Sequence, residues 1–287
     1  DFQRYYLAMP VIVGKKTEKE KFAGAEDTYT IEAMMWDGVA LQNGTSHYFG
    51  QHFAKAFDIK FLDKDNTLKT PYQTSWGVTT RMIGGLIMTH SDNNGLVLPP
   101  RIAPTKVIII PIGDVSEKLK EIIQGLENAG ITYKVDNSDK TPGFKFAEAE
   151  VKGYPIRLEL GKRDLENGFT TIVRRDTLEK IKVDDLEGIV GIIKDTMDIM
   201  HKVMHEWALK RRDSMIYEAS TYDEFKDIAQ NKNGFIKITW CGNMDCEEKI
   251  KADTGLKSRC IIGDNETSLC PVCGKKSKYD IYFAKQY

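Results

Sequence analysis

The sequence predicts a multidomain protein of mixed α+β and α/β class that closes with a small α+β metal-binding domain. The chain has 287 residues, more than one typical core needs and enough for two or three domains of about 100 residues each. Segments with strand-like alternation, helical periodicity and continuous apolar runs follow one another. Four of the five cysteines form two close pairs near the C-terminus. In a chain without a secretory signal, such pairs favour a metal site over disulfides.

Composition and charge exclude several classes of protein. With 41% hydrophobic and 29% charged residues, the chain has enough apolar surface to fold, which excludes disorder and collagen-like structure. No run approaches the roughly 20 apolar residues that cross a bilayer, so we expect a cytoplasmic protein without membrane contact. A formal net charge of −1 argues against a surface that attracts nucleic acid everywhere, and any RNA contact must be local. The chain opens without Met inside a helical pattern, so we expect the true N-terminus upstream.

The first part of the chain reads as α+β. TYTIEAMMW at 28–36 and DIKFLD at 58–63 predict strands, with a short helix, GQHFAKAF at 50–57, between them. LQNGTSHYFGQ at 41–51 concentrates polar side chains at and after a glycine turn, which fits a binding loop or equally the polar tip of a hairpin. SWGVTTRMIGG at 75–85 predicts a strand entering a helix, where an anion could meet the helix N-terminus; a solvated arginine in the first helical turn is the alternative.

A domain boundary is expected near residue 105, after a run of prolines. KVIIIPIG at 106–113 predicts a buried strand, and a helix is expected to start at Asp114, with Glu117 completing a capping box, and to stop at Gly130. Further segments alternate as β-α-β-α-β-β before a longer helix from about residue 186 past residue 200. This pattern predicts a compact α/β domain with a mixed sheet over 106–203, followed by a last α+β module over 204–287.

The cysteine spacing is the sharpest local signal. Cys241 and Cys246 form a C-x4-C pair, and Cys270 and Cys273 form a C-x2-C pair after 23 intervening residues. Two such pairs can converge into a closed tetrahedral site, which is typical of structural Zn²⁺ because no coordination position remains for substrate. Reduced cysteines that never meet a metal are the alternative. Cys260, in the strand-like RCIIG, is expected to be a buried core thiol.

Three long segments resemble prolyl-tRNA synthetase of the archaeal and eukaryotic-like subgroup. They are GKKTEKEKFAGAEDTYTIEAMM, LQNGTSHYFGQHFAKAFDIKF and QTSWGVTTRMIGGLIMTHSDNNGLVLPPRIAP, and the resemblance continues through TPGFKFAEAEVKGYPIRLELGKRD to CPVCGKKSKYDIYFAKQY. The resemblance implies the C-terminal part of a class II antiparallel-sheet catalytic domain at 1–105, an anticodon-binding domain at 106–203 and a zinc domain at 204–287. It also implies ATP-dependent activation of L-proline, with Mg²⁺, to prolyl-adenylate and transfer of the prolyl group to the 3′ end of proline tRNA.

The resemblance also implies roles for individual residues. Arg81 matches the arginine of the third class II signature and, with His47, is expected to be catalytic. The positions implied to bind ATP are Gln42, Thr45, Thr79 and Arg81. Those implied to surround proline are Phe22, His47 and Trp76. For the anticodon, polar or aromatic residues near strand ends are Phe144, Lys145, Glu159, Arg163, Arg174 and Arg175, the combination that stacks on and reads unpaired bases.

The first two class II signatures have no match in the chain. We expect them, with the homodimer interface, before Asp1, so the chain alone would hold half of the active site. No editing insertion is visible before Arg81, and editing is not expected. The alternatives are a sister synthetase for threonine, histidine or glycine, and a noncatalytic tRNA-binding fragment or paralogue. Tyr287 is expected to pack its ring against the catalytic segment, with its hydroxyl or carboxylate near the ATP and proline site.

Overall fold

A computed structural model describes all 287 residues, which divide into two compact units. One unit contains Asp1–Met9 and Leu86–Leu209, and the other contains Pro10–Gly85 and Lys210–Tyr287. The helices are α1 (Phe2–Tyr5), α2 (His52–Ala56), α3 (Arg81–His90), α4 (Ser116–Asn128), α5 (Pro142–Lys152), α6 (Lys162–Glu166), α7 (Ile189–Ser214), α8 (Tyr222–Asn231) and α9 (Met244–Thr254). The strands are β1 (Ile12–Lys15), β2 (Asp27–Met34), β3 (Ala40–Gly50), β4 (Phe61–Leu62), β5 (Leu68–Lys69), β6 (Gln73–Val78), β7 (Val107–Ile112), β8 (Tyr133–Val135), β9 (Ile156–Gly161), β10 (Thr170–Arg174), β11 (Lys180–Val183), β12 (Ile216–Glu218), β13 (Phe235–Trp240), β14 (Lys257–Asp264) and β15 (Tyr279–Ala284).

The unit that contains Leu86–Leu209 is built on a five-stranded mixed sheet. Its order is β11-β10-β9-β7-β8, with β7 parallel to both of its neighbours and β9, β10 and β11 antiparallel. Val107 and Ile109 pack in a core cluster that also contains residues of α4 and α7. Ile108 and Ile110 pack with Ala149 of α5 on the other face. Strand β7 is therefore continuously apolar because both faces of the sheet are covered, and the predicted α/β class with a mixed sheet is confirmed.

The other unit is built on an eight-stranded sheet that joins distant parts of the sequence. Its order is β12-β13-β15-β14-β1-β2-β3-β6. Strand β14 pairs with β1 through Lys15 and Ile261, so the strands of the cysteine-containing segment continue the antiparallel sheet formed by β1, β2, β3 and β6. The predicted domain limits at 105 and 203 stay predictions. The compact units show that strands from before the first limit and after the second share one sheet.

Several elements differ in detail from the sequence prediction. The predicted glycine turn at Gly44 is wrong, because Gly44 lies inside the continuous strand β3. The strand expected at 58–63 is reduced to β4, which forms a separate two-stranded sheet with β5. Helix α4 begins at Ser116 without a side-chain cap, and Asp114 instead accepts a hydrogen bond from the Ser116 hydroxyl at 2.8 Å. A complete capping box does occur at the start of α8. None of the helices combines the length and apolar character that spanning a bilayer requires.

Candidate functional site

A β-bulge in β3 decides which side chains share a face of the eight-stranded sheet. Ile31 pairs with Gly44 and Glu32 pairs with Gln42, so Asn43 is an extra residue on β3. Because paired residues point to the same face and residues two apart along β2 do too, the bulge places Gln42 on the face that carries Thr45 and His47. Without the extra residue, strict alternation would put Gln42 and Thr45 on opposite faces.

This shared face, which we call the bulge face, continues onto β6. Thr45 pairs with Gly77, and a Cβ added to Gly77 would meet nothing within 4 Å, so a ligand can approach the backbone here. Trp76 pairs with Ser46 and therefore lies on the opposite face, where its side chain is 78% exposed. The structure thus brings Gln42, Thr45 and His47 together but does not bring Trp76 to them.

His47 is held by a hydroxyl and by aromatic rings. Its Nδ1 lies 2.9 Å from the Thr28 hydroxyl oxygen, and its ring centroid lies 5.2 Å from that of Phe22 and 5.7 Å from that of Phe49. Partial burial lowers the pKa of His47 because desolvation disfavours the imidazolium form. The imidazole is therefore neutral at physiological pH. Together with the rings of Phe22 and Phe49 it forms an uncharged aromatic surface.

Arg81 stands at the first turn of α3, immediately after β6. Its backbone N–H donates to the Thr79 hydroxyl at 3.3 Å, so Thr79 satisfies one of the amide donors at the helix start. The Arg81 side chain is exposed. Helix α3 packs closely against β3, since a Cβ on Gly85 would lie 3.0 Å from the Leu41 side chain and 3.1 Å from that of Asn43. This contact fixes the start of α3 relative to the bulge.

The four cysteines of the predicted metal site converge. Cys241 follows β13, Cys246 lies in the first turn of α9, and Cys270 and Cys273 lie between β14 and β15. Their sulfur atoms all lie within 4.8 Å of one another, with Cys241 3.7 Å from Cys246 and 3.6 Å from Cys273. A tetrahedral Zn²⁺ site with Zn–S bonds of about 2.3 Å requires sulfur–sulfur separations of about 3.8 Å. The cluster therefore fits a tetrahedral thiolate site.

Local turns and burial shape the cysteine cluster. Gly274, at φ 69°, turns the chain after the second pair, and its N–H donates to the Cys270 carbonyl at 2.8 Å. Burial raises the pKa of the Cys246 and Cys270 thiols. Burial is the largest single influence on Cys273 and raises its pKa, but hydrogen bonds from the Lys275 backbone and the neighbouring thiols together outweigh it, so the pKa of Cys273 is lowered. A bound cation would favour the thiolate form at all four positions.

Cys260 lies apart from this cluster. It is fully buried on β14, as predicted, and burial raises the pKa of its thiol to about 12. The thiol therefore stays protonated at neutral pH, where it is neither a nucleophile nor a metal ligand.

Most of the residues predicted to read the anticodon are already engaged within the protein. Arg175 is buried and forms a two-bond ion pair with Asp92 at 2.8 and 2.6 Å, and Arg174 forms a similar pair with Asp176 at 3.1 and 2.7 Å. The Lys145 ammonium donates to a backbone carbonyl at 3.0 Å. These three cations have structural partners within the same unit.

Of the remaining three anticodon candidates, one is engaged within the protein and two are exposed. Glu159 is buried and accepts from Arg157 at 3.0 Å. Phe144 is exposed on α5 with the Lys140 ammonium 4.8 Å from its ring centroid, and Arg163 is exposed on α6. Phe144 and Arg163 are therefore the predicted residues most accessible to an unpaired base.

Two family models match separate parts of the chain. The model described as "Anticodon binding domain" matches residues 106–195, and the model described as "Prolyl-tRNA synthetase, C-terminal" matches residues 222–287. A protein named proline–tRNA ligase from Lachnospira eligens is 53% identical over 100% of this chain and 61% of its own length. One with the same name from Clostridium botulinum (strain 657 / Type Ba4) is 51% identical over 98% of this chain and 60% of its own length, and one from Clostridium novyi is 52% identical over 100% and 61%.

The chain belongs to the prolyl-tRNA synthetase family. It spans about 61% of the length of the relatives it matches. Identity to proline–tRNA ligases over the whole chain favours this family over the sister synthetases for threonine, histidine or glycine.

Sequence reasoning missed three features of this synthetase segment. The bulge at Asn43 leaves no sequence signature beyond an asparagine next to a glycine. Phe49 was a visible aromatic two residues after His47, and strand alternation could have placed both rings on one face. Lys134, Lys140 and Lys152 line a groove beside α5, and a count of lysines around Phe144 could have found them.

The end of the chain contacts the start of β3, and the expected position of Tyr287 near the ATP and proline site stays a prediction. The Tyr287 N–H donates to the Ala40 carbonyl at 3.1 Å, and its hydroxyl donates to the Asp37 carboxylate. The expected burial of the ring is wrong, because Tyr287 is 55% exposed. The contact is with the first residue of β3 and the turn that precedes it.

Proposed function

We propose that this chain supplies the C-terminal part of a proline–tRNA ligase. The enzyme would activate L-proline with ATP to prolyl-adenylate and transfer the prolyl group to the 3′ end of proline tRNA. The observation that carries the proposal is the bulge face, where one extra residue in β3 aligns Gln42 with Thr45 and His47 beside the open backbone of Gly77. The relatives named proline–tRNA ligase, at 51–53% identity, support the same activity.

ATP is proposed to bind between the bulge face and the start of α3. Gln42 and Thr45 offer hydrogen-bonding groups on one face, and the exposed Arg81 offers a planar cation that can stack on a base and pair with phosphate oxygens. Thr79 holds the first turn of α3, which sets where the Arg81 side chain starts. Mg²⁺, when bound, would neutralise charge on the triphosphate.

The proposed chemistry needs positioning more than covalent help from the protein. A carboxylate oxygen of proline bonds to the α-phosphorus of ATP, and the bond from that phosphorus to the bridging oxygen breaks, so that pyrophosphate leaves. A terminal ribose hydroxyl of the tRNA then attacks the activated carbonyl carbon, loses its proton and displaces AMP. Alignment and charge neutralisation dominate such reactions, which is why the role of Arg81 is proposed to be electrostatic.

Proline is proposed to lie against the wall formed by Phe22, His47 and Phe49. A ring without polar side-chain atoms is suited to aromatic surfaces, and the neutral His47 held by Thr28 adds no charge that would need a counter-ion. Trp76, on the opposite face, has no comparable support for a role in the proline site.

The tRNA anticodon is proposed to bind near α5 and α6. Phe144 offers an exposed ring for stacking, and the neighbouring groove carries Lys134, Lys140 and Lys152, which suit a polyanion. The buried ion pairs of Arg174 and Arg175 fit a supporting role for that surface. The cysteine cluster is proposed to hold a structural zinc ion that fixes the turns after β13 and before β15. Homodimer formation and a cytoplasmic location stay predictions.

The test compares neighbouring residues on opposite faces of β3. In the full-length enzyme that carries this segment, Thr45→Ala should lower proline-dependent ATP–pyrophosphate exchange by about tenfold, the effect expected from one lost polar contact in the transition state. Ser46→Ala, on the other face, is the matched control and should leave exchange unchanged.

Equal effects of the two substitutions on exchange would contradict the proposal that the bulge face binds the substrates. A wild-type protein that binds proline tRNA but supports no exchange would favour the noncatalytic alternative instead.

A further inference from the structure

A second candidate binding site lies in the unit that contains α1 and α7. It is a groove of about 660 Å³ between the N-terminal helix, the middle of α7 and Arg101. None of its residues belongs to the proposed ATP, proline, anticodon or metal sites. The long helix α7 supplies most of the groove wall, and Arg101 Nη1 donates to the Tyr5 carbonyl at 2.9 Å, which ties the two sides together.

His201 makes this groove unusual. The residue is only 5% exposed, yet neither ring nitrogen has a hydrogen-bond partner. The Tyr5 carbonyl faces the ring and raises its pKa, but it does not meet either nitrogen in hydrogen-bonding geometry. Any form of imidazole carries at least one N–H donor, so an acceptor is needed, and a buried donor without one is costly. His201 lines the groove, so an acceptor bound in the groove would lie against its ring.

The charges around His201 favour an anionic acceptor. Arg4, Arg101 and Lys202 bring three positive charges to the groove, against the two negative charges of Asp198 and Glu206. The formal sum is +1 with both groove histidines neutral and +3 with both protonated, whereas the whole chain carries −1. The groove is therefore a local positive region on a nearly neutral protein, with a buried donor at its base.

We propose that this groove binds a phosphate group, with His201 donating through a ring N–H and Arg101 pairing with the phosphate oxygens. A guanidinium carries five N–H donors, of which the Tyr5 carbonyl takes one, and its planar fork matches two phosphate oxygens at once. The phosphate belongs either to the backbone of an RNA or to a small phosphorylated molecule. The site does not depend on the proposed ligase activity.

The surroundings of His201 give the proposal a pH dependence. Burial lowers the pKa of His201, and the charge of Arg101 and the neighbouring His205 lower it further, whereas the Tyr5 carbonyl and Asp198 raise it. Arg4, Lys202 and Glu206 complete the charged groups of the groove. A bound dianion opposes the lowering and raises the pKa, so binding takes up a proton and should be tighter at lower pH.

The test follows the imidazole nitrogens by NMR. Substitution of His201 assigns its ring signals, and substitution of His52 assigns those of an exposed histidine of the same chain. Sulfate is the first probe because its charge stays fixed over the pH range in which histidine titrates, and inorganic phosphate and a single-stranded RNA oligomer follow. We expect sulfate to shift the His201 signals but not those of the exposed His52, and to bind more tightly at about pH 6 than at about pH 8.

Variants separate the groove from general charge effects. Arg101→Gln should weaken sulfate binding by about tenfold, as expected for loss of a charge-assisted hydrogen bond. Lys194→Gln, an exposed charge elsewhere on α7, removes the same charge and should not change binding. Because Arg101 is exposed, its variant is expected to fold, which keeps the test valid if His201→Gln is unstable.

The RNA arm identifies the source of the phosphate. If RNA shifts His201 and Arg101→Gln reduces the slope of log affinity against log salt by about one, the groove binds an RNA backbone. If sulfate and phosphate shift His201 but RNA does not, the ligand is a small phosphorylated molecule. The proposal is refuted if none of the three probes moves the His201 signals, or if Arg101→Gln binds sulfate as tightly as the wild type. Pyrophosphate exchange is unaffected by either result, so the two proposals fail independently.

Discussion

Replacing Arg259 with Met would remove the charge that links β14 to β2 across β1. Arg259 and Glu32 are almost completely buried, and Arg259 donates to one Glu32 carboxylate oxygen from Nε at 3.0 Å and from Nη2 at 2.6 Å. Its Nη1 donates to the side-chain oxygen of Gln286. Lys16, at 3.1 Å, and Thr30, at 2.8 Å, donate to the other Glu32 oxygen. Glu32 is thus the single anion between two buried cations.

The expected loss of unfolding free energy depends on which buried charges each substitution leaves without a partner. Breaking a buried ion pair by removing one partner costs about 3–5 kcal/mol. Arg259→Met leaves Glu32 with Lys16 and Thr30, and the methionine keeps much of the apolar stem, so we expect the lower end, about 3 kcal/mol. Glu32→Gln leaves both Lys16 and Arg259 without an anion, so we expect about 4–5 kcal/mol. The double variant should lose less than the sum of the two, because the residues share one contact.

The pKa of Lys16 adds a pH dependence to this network. Burial lowers the pKa of Lys16, and Glu32 opposes the lowering. In Glu32→Gln the folded-state pKa should fall further below the unfolded value, so the unfolded state binds more protons between the two values. Stability then rises with pH in that window. The destabilisation by Glu32→Gln should therefore shrink as the pH rises towards the ordinary pKa of lysine, about 10.4.

Urea unfolding followed by tryptophan fluorescence measures the loss of unfolding free energy in the compact unit that contains Arg259. Trp240 is buried in the unit that contains Arg259, whereas Trp36, Trp76 and Trp207 are exposed, so the fluorescence change reports mainly that core. Lys226→Met is the matched control, because it removes an exposed ion pair with Asp223 and should cost less than about 1 kcal/mol. A loss below about 1 kcal/mol for Arg259→Met, or the same loss as for Lys226→Met, would refute the reasoning from burial.

Three further outcomes test the sites. Removing bound metal with a chelator should expose four reactive thiols in a colorimetric thiol assay, while Cys260 stays protected until the protein unfolds; five thiols reacting at once would contradict this. Arg81→Lys in the full-length enzyme should lower proline-dependent pyrophosphate exchange by at least about tenfold with unchanged melting temperature, because an ammonium cannot stack and pair as a planar guanidinium does. Arg175→Met should destabilise its unit by about 1–2 kcal/mol, since it removes charge-assisted hydrogen bonds but leaves Asp92 exposed to water, and hydrogen exchange of β9 and β10 measures the loss.

The sequence predicted a strand or a metal site correctly where a single pattern, such as an apolar run or a pair of cysteines, was strong. The continuous apolar run before Ile112 predicted β7, because a strand covered on both faces needs no alternation. The cysteine spacing predicted the convergence of four sulfur atoms because thiolate pairs in tight turns leave few other arrangements. Helix α4 shows the limit of such rules. Asp114 had a suitable side chain, but it bonds to Ser116 within a turn, and the helix begins later.

The candidate site was harder to predict because it depends on register. Gln42, Thr45 and His47 could be named from the resemblance, but strict alternation would have divided them between two faces. Only the cross-strand pairing reveals the extra residue that aligns them. The burial of Arg175 was equally invisible, because its carboxylate partner, Asp92, lies far away in the sequence and is brought to it by tertiary contacts. The partner of Arg174 is Asp176, two residues along the chain, so this pair could have been found from the spacing of charges.

The pairing of β14 with β1 changes how the cysteine-containing segment should be understood. The sequence suggested a separate module, since a cysteine cluster can hold a small domain together without help from the rest of a protein. In the structure its strands extend the sheet that carries the bulge face, and Arg259 places a buried charge directly under Glu32 of β2. The cysteine-containing segment is therefore connected to Gln42 by two contacts. Arg259 forms an ion pair with Glu32, and Glu32 is the cross-strand partner of Gln42. Loss of the cysteine-containing strands would accordingly leave β1 without its neighbour β14 and Glu32 without Arg259, which loss of an isolated metal-bound domain would not do.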